Sequence, residues 1–199
     1  MLGSSGRYDR TKSSIGEALA RCTFASFCRD GMSIFVRPLR ASDRELEQEF
    51  IASLSESTRF FRMHAPLRYL SPQLLDQLME IDDERRMALV ATARRKDGSE
   101  HIVGVARYVM TDQSGTAEIG VTVTDACQKR GIATLLMEAL IGFARERGVC
   151  RLTGLVLPEN IRMLALARRM GFSVRLDRGE QLFRIERTLT VADVQPISA

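Results

Sequence analysis

Apolar and polar residues alternate with a period of two from Ala117 to Thr124, and the alternation then gives way to a helical rhythm. Ile132, Leu135, Leu136, Ala139, Leu140 and Phe143 recur at i, i+3, i+4, i+7, i+8 and i+11. The first pattern predicts a strand and the second an amphipathic helix with one apolar face. Between them, Gln128-Lys-Arg-Gly131 is a short turn with two cations and a glycine. A strand that feeds a glycine turn at a helix start is suited to bind an anion. The first helical N–H groups have no partner within the helix, and the helix dipole is positive at that end.

The rest of the chain alternates in the same way. Ser33 to Arg37 reads as a strand that Pro38 confines to an end or an edge. Ser42 followed by Glu45 is a capping-box pattern and predicts a helix to about Leu54. Residues 56–70 read as a loop that brings together Arg59, Phe60, Phe61, Arg62 and His64. Ser71-Pro72 starts a helix that runs to about Glu80. Met87–Thr92 and Ile102–Met110 form a hairpin around the turn Lys96-Asp-Gly-Ser99. After the central helix, Gly148 is placed as its C′ residue, Arg151–Leu157 reads as a strand and Asn160–Met170 as a helix. Phe172–Arg175 and Gln181–Arg187 make two final strands. At the other end, residues 1–31 form an extension, mobile or partly helical, with a short amphipathic helix expected over Ile15–Phe27. One domain is expected over 32–190, with a tail over 191–199. The order is β-α-α-β-β-β-α-β-α-β-β. It predicts an α/β (α+β) chain with a mainly antiparallel sheet and one internal βαβ crossover.

Composition narrows the partners. With 199 residues, 45% of them hydrophobic and 27% charged, the chain can bury the core of one domain. A net charge of +4, carried by arginine more than lysine, suits polyanionic ligands such as nucleotides. No basic run is interleaved with aromatics, so no nucleic-acid partner is expected. Cys22, Cys28, Cys127 and Cys150 show no metal-binding spacing and no pairing with His64 or His101, so no metal is expected either. Reduced cysteines and the lack of a signal-peptide pattern point to a cytoplasmic protein. No apolar run approaches the length of a membrane span.

Gln128-x-x-Gly131-x-Ala133 after a strand, Asn160 opening the next helix and Arg169-Met-Gly-Phe172 behind it are a set with a family likeness. Together they resemble the GNAT superfamily of acetyl-CoA-dependent N-acetyltransferases, over roughly residues 33–188. The resemblance implies the GNAT fold, with helices on both faces of the sheet. A narrower likeness lies in Ile81–Ala91, Ala117–Val123 and Leu157–Phe172. These stretches are similar to the acetyltransferase domain of bacterial Pat-type protein-lysine acetyltransferases, which act on acyl-CoA synthetases. Ser57–Arg62 is similar, less closely, to a Ser/Tyr/Arg/Phe loop of that group.

The resemblance assigns roles. Gln128, Lys129, Arg130, Gly131, Ile132 and Ala133 would hold the pyrophosphate of acetyl-CoA, the co-substrate. Val121, Thr122 and Val123 would meet the pantetheine arm through main-chain groups that a bulge leaves free. One such N–H would hold the acetyl carbonyl as charge develops. Asn160 would contact the pantetheine or cap its helix. Glu118 would be the general base, on the strand face opposite Ile119, Val121 and Val123, its pKa raised by partial burial. The structural alternative for Glu118 is an ion pair with Arg107 on the neighbouring strand. Ala167 stands where many members carry a tyrosine acid. The implied reaction is direct transfer of acetyl, in a ternary complex, to a protein lysine ε-amine, with an acyl-CoA synthetase as protein substrate. A monomer or homodimer is expected, with no membrane partner. Two alternatives stay open: acetylation of a small-molecule amine, amino acid or antibiotic, and a non-catalytic acyl-CoA-binding regulatory module.

Overall fold

The computed structural model describes residues 24–27, 32–63, 70–82 and 84–189. In chain order these form β1 (Phe24–Phe27), β2 (Ser33–Pro38), α1 (Arg44–Ser53), α2 (Glu56–Met63), α3 (Pro72–Met79), β3 (Arg86–Arg94), β4 (Glu100–Met110) and β5 (Thr116–Val123). There follow α4 (Ile132–Glu146), β6 (Arg151–Val156), α5 (Ile161–Arg169), β7 (Ser173–Asp177) and β8 (Leu182–Thr188). The strands make one eight-stranded sheet in the order β1-β2-β3-β4-β5-β6-β8-β7. Every neighbouring pair is antiparallel except β5 and β6, which α4 joins as the expected crossover.

Both sheet faces carry a core. On one, α4 buries Ile132, Leu136, Leu140 and Phe143 against Leu89, Ala106, Ile119 and Leu152. Met137, Ile141 and Ala144 are buried as well, while Leu135 and Ala139 are only partly so. The buried stripe of α4 is therefore wider than the predicted one and turned by about a residue. On the other face, Phe50, Ile51 and Leu54 of α1 pack on Ala88, Val90 and Val105.

Three local expectations fail for identifiable reasons. Phe24–Phe27 extends along β2 as a strand instead of ending a helix; the rest of that expected helix lies outside the described residues, as do His64, Cys22, Cys28 and the tail over 191–199. The Ser42–Glu45 capping box does not form, because a 3-10 turn over Ala41–Asp43 comes first. Asp43 there accepts the Arg40 N–H at 2.8 Å and the Arg37 guanidinium at 2.6 and 3.0 Å. Finally, residues 56–63 are a helix, not a loop. Ser55 caps it through its hydroxyl, which takes the Thr58 N–H at 3.2 Å.

Candidate active site

The site forms where β5 and β6 part. The two strands pair only at Thr116–Arg151, Ala117–Leu152 and Glu118–Thr153, whereas β6 stays paired with β8 as far as Val156. From Ile119 to Val123 the main chain of β5 therefore has no ladder partner on its β6 side. The β4 side is continuous from Gly104–Val123 to Met110–Ala117, so the opening comes from divergence of two strands and not from the bulge expected in β5. The register irregularity in this part of the sheet lies between Ala91 and Thr92 of β3. Unpaired main-chain donors and acceptors in a wedge between strands can hydrogen-bond an extended ligand.

Just past the wedge, the chain turns through residues 124–131 into α4. Lys129 has φ 64° and Gly131 φ 94°, both in the left-handed region, and Gly131 is the helix N-cap. Among the described residues no side chain caps α4, which leaves its leading N–H groups without a side-chain acceptor there. A Cβ built on Gly131 meets nothing within 4 Å, so the space before the helix start is open and glycine is required by the backbone angle alone. Backbone N–H groups in this left-handed conformation, with a lysine beside them, fit a pyrophosphate. The Gln128 side chain is turned elsewhere: its amide donates to Val123 O at 3.2 Å and to the Thr58 hydroxyl at 3.4 Å, and its carbonyl accepts from Arg162. Gln128 braces the turn between β5, α2 and α5. The Arg130 guanidinium approaches the Met32 sulfur at 4.0 Å. Asn160 caps α5, accepting the Met163 N–H at 3.1 Å, which is the structural alternative given for it. Ala167 is fully enclosed, 1% exposed.

A second device fixes the approach to the wedge. Asp125 accepts the Ser55 N–H at 2.9 Å, the Ser55 hydroxyl at 2.8 Å and the Thr58 hydroxyl at 2.8 Å, pinning the start of α2 to the end of β5. Partial burial alone would raise the Asp125 pKa, but these donors outweigh it and the net shift is downward.

The β5 face under α1 and α2 is unusual for the charge it buries. Glu118 lies on that face with Gly120 and Thr122, opposite Ile119, Val121 and Val123, as the alternation implied. Glu118 is exposed rather than partly buried, and Arg107 is not its mate. Arg107 stands across from Gly120, donating to Glu47 at 2.6 Å and to Leu78 O at 2.9 Å. Glu47 is 1% exposed, and its second carboxylate oxygen has no hydrogen-bond partner. Burial pushes the Glu47 pKa up, against the pull of Arg107 and Arg62. The Thr122 hydroxyl, also enclosed, has no partner either. Arg62 of α2 completes the group, its guanidinium resting over Gly120.

The model of the acetyltransferase (GNAT) family matches residues 48–172, which span this wedge and turn and all of the charged face except Glu47. The chain belongs to the GNAT acetyltransferase family. It is an acyltransferase of that type, and the family uses acetyl-CoA. The enzyme is 40% identical over 143 residues to Acetyltransferase PA5475 of Pseudomonas aeruginosa, covering 72% of this chain and 76% of that one. It is 31% identical to Acetyltransferase Pat of Mycolicibacterium smegmatis over 85% of this chain, which spans only 48% of Pat. Among solved structures, the GNAT domain of S. lividans PAT superposes with a TM-score of 0.77 at 28% identity, over 85% of this chain and 98% of that domain. The likeness to Pat-type enzymes read from three sequence stretches thus extends to the fold. Among the described residues, no helix is long and apolar enough to cross a membrane and no group of three metal-ligating side chains occurs.

Sequence reasoning missed Glu47, Asp125, Ser55 and Thr58. Glu47 did leave a signal: it sits three, four and seven residues before Phe50, Ile51 and Leu54, at a core position of the α1 stripe. Asp125 and its partners lie 67 and 70 residues apart, a pairing that no local pattern shows.

Proposed function

We propose that the enzyme transfers acetyl from acetyl-CoA directly to a primary amine in a ternary complex, and that the amine is a protein lysine ε-amine. The observation that carries this reading is the wedge between β5 and β6, which opens immediately beyond Glu118 and ends at the uncapped start of α4. An extended pantetheine arm would lie along β5 at Val121, Thr122 and Val123, on the side that has no ladder partner. Its pyrophosphate would meet the N–H groups of Ile132 and Ala133, with Lys129 and Arg130 beside it and Gln128 and Asn160 holding the turn and the facing helix in place. Anchoring the nucleotide end offsets the entropy of orienting the thioester.

In the reaction a C–N bond forms and the thioester C–S bond breaks. A lysine amine, with a pKa near ~10.4, arrives protonated and must lose that proton before attack. Glu118, exposed at the mouth of the wedge, takes it directly or through one water. A β5 N–H stabilises the developing oxyanion. With Ala167 enclosed and no tyrosine there, the CoA thiolate leaves and takes its proton from solvent.

Likeness to Pat and to the PAT GNAT domain supports a protein acceptor, and an acyl-CoA synthetase is the substrate to try. The test is to incubate labelled acetyl-CoA with the purified enzyme and either an acyl-CoA synthetase or a cell lysate. Label on a protein lysine is the expected result. Label confined to small molecules would reject the protein acceptor in favour of a free amine, amino acid or antibiotic.

A further inference from the structure

We propose that Arg62 recognises the acceptor: its guanidinium, laid on Gly120 of β5, takes a carboxylate that the acceptor carries about 7 Å from the reacting amine. The inference deepens the proposed transfer to an amine at Glu118 and rests on that placement of the chemistry.

The geometry starts with a missing side chain. A Cβ on Gly120 would stand 3.1 Å from the Arg62 Cζ and 3.3 Å from each terminal guanidinium nitrogen. The head therefore lies on the main chain of β5, and a methyl group there would have to push it away. Gly120 belongs to the stretch of β5 that no longer pairs with β6, two residues beyond Glu118 on the same strand face. Two residues of strand span about 7 Å, which sets the distance between an anion at Arg62 and an amine at Glu118.

The protein surrounds this head without bonding it. Among the described residues the Arg62 guanidinium makes no hydrogen bond and no ion pair, whereas Arg107 donates to Glu47 and to Leu78 O. Burial first, and the like charge of Arg107 second, bring the Arg62 pKa down to about 10, so it is a cation at neutral pH. Two further groups beside it are enclosed and unpartnered: the Thr122 hydroxyl, next along the same face of β5, and Arg59 Nε, one turn earlier on α2. A desolvated cation is costly until an acceptor meets it, and the planar fork of a guanidinium matches the two oxygens of a carboxylate. The co-substrate's phosphates belong at the α4 end of the wedge, so this anion comes with the acceptor. An acceptor that brings its own negative charge also enters beside a cation more readily than a bare ammonium does.

The spacing selects the chemistry. A carboxylate about 7 Å from the amine is the side chain of an Asp or Glu beside a protein lysine, or the α-carboxylate of lysine itself, four methylenes and a Cα from its ε-amine. An α-amine, two bonds from its own carboxyl carbon, is too close to reach both places.

The test is equilibrium binding and needs no turnover. With CoA in place of acetyl-CoA, calorimetry gives acceptor affinities of the full chain for two matched pairs. One is a capped peptide containing Lys-Asp against the same peptide with Lys-Asn; the other is Nα-acetyl-lysine against its amide. In the wild type at least one acid is expected to bind about tenfold or more tightly than its amide partner. Arg62→Gln should bring that ratio close to one, and Arg62→Lys, which keeps the charge and loses the fork, should retain part of it. Gly120→Ala crowds the guanidinium and should shrink the ratio too; it stands in if Arg62→Gln does not fold. A preference within the peptide pair identifies an acidic neighbour of a protein lysine as the source. A preference within the amino-acid pair alone keeps the role of Arg62 and counts against the protein acceptor. Equal affinity within both pairs, no binding of either acid, or a wild-type ratio that neither Arg62→Gln nor Gly120→Ala reduces overturns the proposal. Failure of the base assignment is a separate outcome, read from the transfer rate of Glu118→Gln and not from these affinities.

Discussion

The two ends of the wedge are built from different material. At the α4 end the ligand-facing groups are main-chain N–H donors, arranged by two left-handed residues and an uncapped helix start. The side chains there mostly brace: Gln128 ties three elements together and Asn160 caps α5. At the Glu118 end the groups are four charged side chains: exposed Glu118, Arg107 of β4, Glu47 of α1 and Arg62 of α2. A backbone site tolerates side-chain changes and fails when its φ angles fail. A buried charge cluster does the reverse, since each member left without its partner keeps the full desolvation cost.

Substitutions can break that contrast, and the largest effect is expected at the charged end. Glu47→Ala leaves Arg107 buried without its carboxylate and should cost about 3–5 kcal/mol of stability. In a domain of this size that lowers the melting temperature by roughly 6–20 °C, measurable by thermal unfolding. At the other end Gly131→Val forces a β-branched residue to a positive φ, a strain of about 1–3 kcal/mol. CoA affinity should fall by roughly ten- to a hundredfold in a calorimetric titration, with amine KM little changed. The smallest effect belongs to Lys129→Ala, where one charge near a helix start contributes about 0.3–1 kcal/mol. CoA binding should weaken only about two- to fivefold, and the difference should shrink in high salt. A larger loss in Lys129→Ala than in Gly131→Val would reverse the contrast.

The same contrast explains what could be read from the sequence. The α4 end was legible because helix periodicity, a glycine and a strand-turn-helix order are all local features, contained within Ala117–Phe143. Strand order beyond the crossover, and the parting of β5 from β6, depend on how far β6 pairs with each neighbour, which no local pattern records. Helix α2 was hidden for a related reason. Glu56–Met63 buries no residue completely, and its start is held by Ser55, Thr58 and Asp125 across the fold. The charged end was half legible. Glu118 came from a likeness and from parity along β5, but Arg107 is not its mate, because Glu47 of α1 already holds Arg107.

The most direct test compares Glu118→Gln with the wild type, measuring kcat/KM for the amine across pH together with CoA affinity. Loss of a general base should lower kcat/KM by about a hundredfold or more near neutral pH, remove the acid limb of the profile and leave CoA binding unchanged. A Glu118→Gln enzyme that keeps the wild-type rate and the wild-type acid limb, with CoA bound normally, would contradict the assignment of the chemistry to this end of the wedge.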